Sequence, residues 1–391
     1  MSLYTENEVL DYINEEDVKF VRLAFFDLNG VQKNISIMAS QLENAFRNGV
    51  SFDASAIYGF EKAEKSDLFL YPDPATLSVL PWRPNTGKVV RMFCTIRHAD
   101  GTEYEKDCRT MLKNAVKKAK KECGIDFHIG TEIEFYLFKL DAEGEPTKIP
   151  FDNAGYMDIA PEDKGENIRR EICFTLEQMG IQPEASHHEE GPGQNEIDFH
   201  YSDAVTAADN AATFKWIVRT RAANAGLYAD FSPKPLAGKA GSGLHINLSC
   251  SDPSKNRAAM AGILKHAEEI TYYMNFHEES YDRLGEHKAP KYICWGKENR
   301  LAFIRVPAVT NAEAERMEIR SADCECNVYI VLNLLINAAI DGIKNNLEPP
   351  EEIPCGTEPS ASNNIKLLPD TLQAAKKLAD NSSFIKEVLG F

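Results

Sequence analysis

Glu132 and Glu134 stand two residues apart, as do Glu196 and Asp198, and Glu318 lies midway between Arg316 and Arg320. Side chains in a strand alternate between faces, so each such set would point one way. In residues 127–139, His128, Gly130, Glu132, Glu134 and Tyr136 share a face opposite Phe127, Ile129, Ile133, Phe135 and Leu137. In 195–200, Glu196, Asp198 and His200 oppose Ile197 and Phe199; in 243–249, His245, Asn247 and Ser249 oppose Leu244, Ile246 and Leu248. In 316–320 the two arginines and Glu318 oppose Met317 and Ile319. One such strand alone is ordinarily the wet side of an antiparallel sheet. Four of them, separated by helices that need a face to cover, weigh the other way. Joined in one sheet, they would gather carboxylates, an imidazole and guanidinia. Oxygen donors with neutral histidine suit Mg²⁺ or Mn²⁺ rather than a thiolate-loving metal. A carboxylate-held divalent metal beside several arginines is what phosphoryl transfer from ATP needs, because both offset phosphate charge.

Glycine-rich turns flank these strands. His187-His-Glu-Glu-Gly-Pro-Gly-Gln194 runs into the Glu196 segment, and Gly241-Ser-Gly243 precedes His245. Glycine there permits close backbone approach to a ligand, although each is by itself only a turn. No P-loop and no kinase glycine-loop set is present, so any ATP site uses another scaffold.

The elements that must position these residues read as two parts. Residues 18–26 and 31–37 alternate around the turn Asp27-Leu-Asn-Gly30, a hairpin signal; 39–48 reads as a short helix and 88–97 as another strand. This predicts a small, mostly β domain with one crossing helix. Helices are expected at 109–123, 166–179, 204–225, 256–275 and 325–344, with the polar-faced strands between them. Residues 347–368 read as a surface loop before a last amphipathic helix at 369–380.

Composition narrows the function classes. The 391 residues carry a formal charge of −17, which disfavours nucleic acid and anionic membranes as partners, since phosphate attraction needs a basic footprint. No secretory signal is expected from residues 1–10, and the longest apolar run, 328–340, is too short and too broken by Asn333 and Asn337 to span a membrane. Nine scattered cysteines suit a reducing cytoplasm, and Cys324 and Cys326 lack the second pair that a zinc site needs.

The order of motifs resembles glutamine synthetase over nearly the whole chain. It is carried by Phe52-Asp-Ala-Ser-Ala-Ile-Tyr-Gly-Phe60, Gly130-Thr-Glu-Ile-Glu-Phe135 and Ser186-His-His-Glu-Glu-Gly-Pro-Gly-Gln-Asn-Glu196. Lys234-Pro235, Gly241-Ser-Gly-Leu-His245, Asn299-Arg-Leu-Ala-Phe-Ile-Arg-Val-Pro307 and Arg316-Met-Glu-Ile-Arg320 complete it. The resemblance implies an α+β fold: a small N-terminal β-grasp domain, residues 1–102, and a larger catalytic domain, 103–391, with an antiparallel, open barrel-like sheet flanked by helices. It implies one divalent metal, Mg²⁺ or Mn²⁺, on Glu134, Glu189 and Glu196, and a second on Glu132, His245 and Glu318 near the ATP phosphates. Arg283, Arg320 and Gly241 match residues that hold the glutamate substrate. Arg300 matches the arginine facing the transferred phosphoryl group, and Arg305, Arg316 and Ser249 lie on the nucleotide side. Asp53 and Tyr156 match the ammonium site, with Asp53 reaching in from a neighbouring subunit, so a homo-oligomeric ring, hexamer-based, is expected. Glu318→Ala is expected to abolish ATP turnover and spare the fold.

The departures from the pattern cluster at the acceptor end. Lys288 stands where the family's flap offers a carboxylate before Ala-Pro, with Glu286 two positions earlier; Ala56 and Ala240 replace a serine and an asparagine. The chain ends at Phe391, before the closing helices that tie two rings together in large members, so ring pairing through them is not carried over. No tyrosine occurs in 347–368, and adenylylation there is not expected. The implied activity is an ATP-dependent ligase making glutamine from glutamate and ammonium through a γ-glutamyl phosphate. The alternatives are a γ-glutamyl–amine ligase that takes an organic amine, and a catalytically weak regulatory paralogue.

Overall fold

The computed structural model describes residues 4–311, 314–360 and 365–390, and the chain divides into two compact units. The first comprises residues 1–113 with 175–181, and the second the remainder.

In the first unit, helix α1 (Glu6–Glu15) precedes strands β1 (Val18–Phe26) and β2 (Gln32–Met38), helix α2 (Leu42–Asn48), and strands β3 (Val50–Asp53), β4 (Asp67–Pro72), β5 (Ser78–Val79) and β6 (Lys88–Arg97). The expected hairpin, crossing helix and β6 are all present. The α1 helix was not anticipated; Thr5 and Glu8 form a reciprocal capping box, and Val9 and Ile13 are its buried face. The β3–β4 pair shows no alternation in its sequence, Leu68 to Tyr71 of β4 being apolar without a break. The sheet runs β2-β1-β6-β4-β3 with β5 on β6, antiparallel except for the β1–β6 pair. Its core gathers Val21, Leu23, Leu68, Leu70, Val90 and Met92 around Phe60 and Tyr104.

The remaining elements are α3 (Cys108–Cys123), β7 (Phe127–Leu140), β8 (Pro146–Pro150), α4 (Glu166–Gln178), β9 (Pro183–His188), β10 (Gln194–Phe199), β11 (Ser202–Asp203), α5 (Ala204–Asn224), β12 (Leu227–Asp230) and β13 (Leu244–Cys250). Then follow α6 (Asn256–Met274), α7 (Glu278–Arg283), β14 (Tyr292–Lys297), β15 (Ala302–Val306), β16 (Met317–Ile319), α8 (Val328–Lys344), α9 (Leu372–Asn381) and α10 (Ser383–Leu389). A ten-stranded sheet runs β14-β15-β16-β13-β7-β10-β9, and β8, β11 and β12 also pair with β7. The long β7 is thus the spine of the second unit. Every ladder in this sheet is antiparallel except β14–β15, which is parallel.

The expected helices form with small shifts at their ends. Helix α8 starts at Val328 rather than 325, because the Asn327 side chain accepts from the amides of Tyr329 and Ile330 and caps it there. Its near-continuous apolar sequence is core: Val331, Leu332, Leu334, Leu335 and Ile336 are buried. No helix among the described residues is long and apolar enough to cross a membrane. Helices α6 and α8 approach so closely that a Cβ on Gly262 would stand 2.0 Å from the Ala338 carbonyl oxygen. The expected loop at 347–368 carries no helix or strand where it is described, residues 361–364 lying outside the described residues. Beyond it, α9 replaces the single expected helix and is followed by α10, each opened by a serine or threonine cap.

Candidate functional site

Strand pairing sets the polar faces side by side. Across β10–β7, Glu196 is opposite Glu134 and Asp198 is opposite Glu132. Across β7–β13, Glu132 is opposite His245; across β13–β16, Asn247 is opposite Glu318; across β16–β15, Glu318 is opposite Arg305. On the other flank, His187 of β9 is opposite Glu196. Three neighbouring rows of paired positions, His187–Glu196–Glu134, Asp198–Glu132–His245 and Asn247–Glu318–Arg305, therefore carry the imidazoles, carboxylates and a guanidinium.

These side chains wall a cavity of about 470 Å³ in the second unit. Of the residues singled out from the sequence, Glu132, Glu134, Glu189, Glu196, His245, Gly241, Arg283, Arg300, Arg305, Arg320 and Tyr156 line it. Glu318 lies buried beside it, its carboxylate ion-paired with Arg320 and with Arg305 Nη1 at 2.6 Å, and 3.8 Å from His245 Nδ1. Each of its oxygens accepts from an arginine and keeps a second lone pair free for a cation. Ser249 and Arg316 do not line the cavity; Arg316 Nε donates to Asn247 Oδ1 at 3.0 Å. Asp53 belongs to the first unit, where its exposed carboxylate accepts from the amide and hydroxyl of Ser55.

The carboxylates differ sharply in their surroundings. Burial opposes ionisation of Glu132, but the His245 hydrogen bond and charge, and Asn247 donating at 2.8 Å, bring it down to about 2. Burial pushes Glu134 up, and neighbouring Glu189 adds to this, although the Gly243 amide donates to it at 2.8 Å. Glu196 is driven well above the usual carboxylate range by burial and then by Glu134 and Asp198. Asp198 rises to about 7 through burial and the charge of Glu132. A crowd of buried carboxylates short of positive charge is the condition that a divalent cation relieves.

Two groups meet the spatial demand. Glu132, Glu196 and His245 bring ligand atoms within 4.8 Å of one another, and so do His187, Glu196 and Asp198. Asp198 Oδ1 is buried without a hydrogen-bond partner, an orphan acceptor beside these groups. The donor set, carboxylate oxygens with one or two imidazoles, fits a hard divalent ion.

Sequence reasoning gave Asp198 and His187 no role. Asp198 was legible as a face-mate of Glu196, but only strand register places it against Glu132. His187 hydrogen-bonds Glu189 Oε1 at 2.9 Å and packs edge-on to Tyr156. At the cavity mouth, Lys288 Nζ pairs with Glu190 Oε2 at 3.0 Å, and His287 Nδ1 lies 3.6 Å from Glu190 Oε1. Glu286, Lys288 and Glu190 all line the cavity. Ala240 contributes its carbonyl, which accepts from buried Tyr136 at 2.6 Å.

Comparison with known proteins shows the family. Residues 17–99 match the family model described as glutamine synthetase, beta-Grasp domain, and residues 105–391 that described as glutamine synthetase, catalytic domain. The chain is 42% identical to the glutamine synthetase of Methanosarcina mazei over 99% of its own length and 91% of that protein. Among solved structures, a GmaS/ADP complex superposes with a TM-score of 0.87 at 26% identity, covering 98% of this chain and 92% of that one. The glutamine synthetase of Plasmodium falciparum gives 0.86 at 24% identity, covering 100% and 95%, and shows the same fold. The α+β architecture expected from the motifs, β-grasp followed by a curled catalytic sheet, is the one observed. ATP and divalent-metal use are general to these ligases, and the donor set described above suits them. The motifs, the fold and these likenesses agree, and the chain belongs to the glutamine synthetase family of ATP-dependent ligases.

Proposed function

We propose that this chain joins glutamate and ammonium into glutamine with ATP, residues 1–102 serving as the β-grasp part and 103–391 as the catalytic part. The observation that carries the reading is one cavity in which Glu132, Glu134, Glu189, Glu196 and His245 face Arg283, Arg300, Arg305 and Arg320. Glu134, Glu189 and Glu196 would hold one divalent cation, and Glu132 and His245, with Glu318, a second, as Mg²⁺ or Mn²⁺. When bound, such ions neutralise phosphate charge during transfer.

The chain's own residues do the rest. Arg283 donates Nη1 to the Ser321 carbonyl at 2.8 Å and Nη2 to that of Arg320 at 3.2 Å, which fixes its guanidinium in the wall where glutamate would lie. Arg320 Nε holds the Arg300 carbonyl at 3.1 Å and so seats the residue assigned to the transferred phosphoryl group. The glutamate γ-carboxylate attacks the γ-phosphorus and ADP departs. Ammonium gives a proton to a pocket carboxylate, and the resulting ammonia attacks the acyl carbon; the C–O bond to phosphate breaks and phosphate leaves with a proton from the new amide nitrogen. Tyr156, and Asp53 supplied by a neighbouring subunit of a hexamer-based ring, serve the ammonium side. Ser249 and Arg316 serve the nucleotide side. The free cysteines suit the cytoplasm.

Lys288 bears on the acceptor. Its charge is answered by Glu190, while Glu286 adds a carboxylate to the same cavity, and this favours ammonium. The second reading, an organic amine as acceptor, draws on the cation standing where the family has a carboxylate. The test is Mg²⁺-dependent phosphate release with glutamate and ATP, ammonium being set against a panel of primary amines. Ammonium is expected to give the highest kcat/KM. A preferred amine would shift the assignment to the second reading, and no release with any acceptor would leave a regulatory paralogue.

A further inference from the structure

Behind the cavity wall a second polar cluster is sealed from solvent. His188 is 0% exposed, and Asp152, Asp163, Arg169 and Asn195 are buried with it. Asp152, Asp163 and His188 bring ligand atoms within 4.8 Å of one another, as a metal site would. The positions are already taken. Arg169 ion-pairs with Asp163 and donates to Asn195 Oδ1 at 2.6 Å, so a guanidinium is the cation of this cluster. His188 Nε2 faces Asp152 Oδ1 at 2.9 Å and Nδ1 faces the Glu189 carbonyl at 2.7 Å. Both partners only accept, so both ring nitrogens donate and neither is left for a metal. Asp152 is filled by the amides of Gly193 at 2.9 Å and Lys164 at 3.1 Å.

The ring therefore joins pieces of chain that are far apart in sequence and that each present a side chain to the cavity. Nδ1 holds the backbone of Glu189. Through Asp152, Nε2 holds the segment leading to Tyr156 and the turn at Gly193 that precedes Gln194. The His188 carbonyl accepts from the Met157 amide at 2.9 Å, tying the same segment a second time. Gln194 in turn donates to Glu134 Oε2 at 3.1 Å.

We propose that His188 is a positioning residue, holding the Glu189 backbone and the Tyr156 segment in one arrangement so that the Glu134–Glu189–Glu196 group is set before any ligand enters. The role rests on the metal reading given above. A buried network serving stability alone would lower the melting temperature and leave metal affinities in their original ratio. Loss of a group that orients metal ligands typically costs 10–100-fold in affinity.

The test is Mn²⁺ titration of nucleotide-free protein, free ion being read by electron paramagnetic resonance. Glu189→Gln identifies the class of sites that depends on this carboxylate group, since Glu196 lies close to both candidate groups. His188→Gln is expected to weaken that class by about 10–100-fold and to leave the other within about twofold. Equal affinities in wild type and His188→Gln, or equal weakening of both classes, would overturn the positioning role. If His188→Gln does not fold, Asp152→Asn, which keeps the shape and removes the charge behind the ring, is expected to show the same selective loss, and its absence would overturn the role equally. A wild-type protein with no Mn²⁺ class sensitive to Glu189→Gln would overturn the metal reading itself, and the positioning role with it.

Discussion

Glu318→Ala separates what a polar face suggests from what burial imposes. A carboxylate on the wet side of a strand should be removable without harm to the fold. In the structure Glu318 is instead 1% exposed and lies between the guanidinia of Arg305 and Arg320, Arg320 itself being 5% exposed. Truncation strips two cations of their counter-charge, and breaking a buried pair in this way costs about 3–5 kcal/mol. For a unit of this size each kcal/mol lowers Tm by about 2–4 °C, so Tm should fall roughly 6–20 °C. Calorimetry of wild type, Glu318→Ala and Glu318→Gln, paired with ATP-dependent phosphate release, tests this. Glutamine keeps the volume and one acceptor oxygen, so its Tm loss should be smaller, while phosphate release should be lost in both variants because the negative charge is gone. An alanine variant melting within about 2 °C of wild type, below the range worked here, would refute the burial argument. A glutamine variant with wild-type turnover would refute the functional one.

Three further outcomes are expected. Lys288→Glu replaces a cation of the cavity wall by a carboxylate; because the site is half exposed the change is worth about 1 kcal/mol, so the ammonium KM should fall roughly fivefold while ATP affinity stays nearly constant. An ammonium KM unmoved by the single change would remove Lys288 from the acceptor site. Gly262→Ala puts a methyl group 2.0 Å from the Ala338 carbonyl oxygen and 2.7 Å from the Gly342 amide nitrogen, an overpacking that should cost about 1–3 kcal/mol or more in urea unfolding. In the first unit, Asp73 is held below its ordinary pKa: burial opposes this, but Arg109 and Lys113, at 2.9 and 2.8 Å, outweigh it. Its contribution is therefore complete above the unfolded-state value of about 3.9 and fades as pH falls through the folded value. The stability gap between wild type and Asp73→Asn should be full at pH 7 and shrink below about pH 4, and a gap constant down to pH 3 would contradict the assignment.

Much of the site was legible because strand alternation is a local property. Glu132 and Glu134 must share a face of β7 whatever β7 pairs with, and the same holds for Glu196 with Asp198 and for Arg316, Glu318 and Arg320. The family motifs supplied roles for residues that alternation could only place on a face. Less legible were elements with little periodic signal: α1, whose capping box stands in the first residues, and the short β3–β4 pair.

The sequence by itself determined which side chains travel together: the period of two along each strand, the turn glycines, and the apolar run of α8 follow from neighbours a few residues apart. Only the tertiary structure decided which strand lies beside which and in what register. A slip of one residue between β7 and β10 would have moved Asp198 from Glu132, and Glu196 from Glu134, with no change in either strand's own pattern. Likewise, nothing local to Lys288 marks Glu190 as its partner, and nothing in the repeated histidines at 187 and 188 says that one faces the cavity while the other is sealed behind it. Those choices belong to contacts between segments distant in sequence, where packing and the pairing of buried charge select one arrangement among those that each segment alone allows.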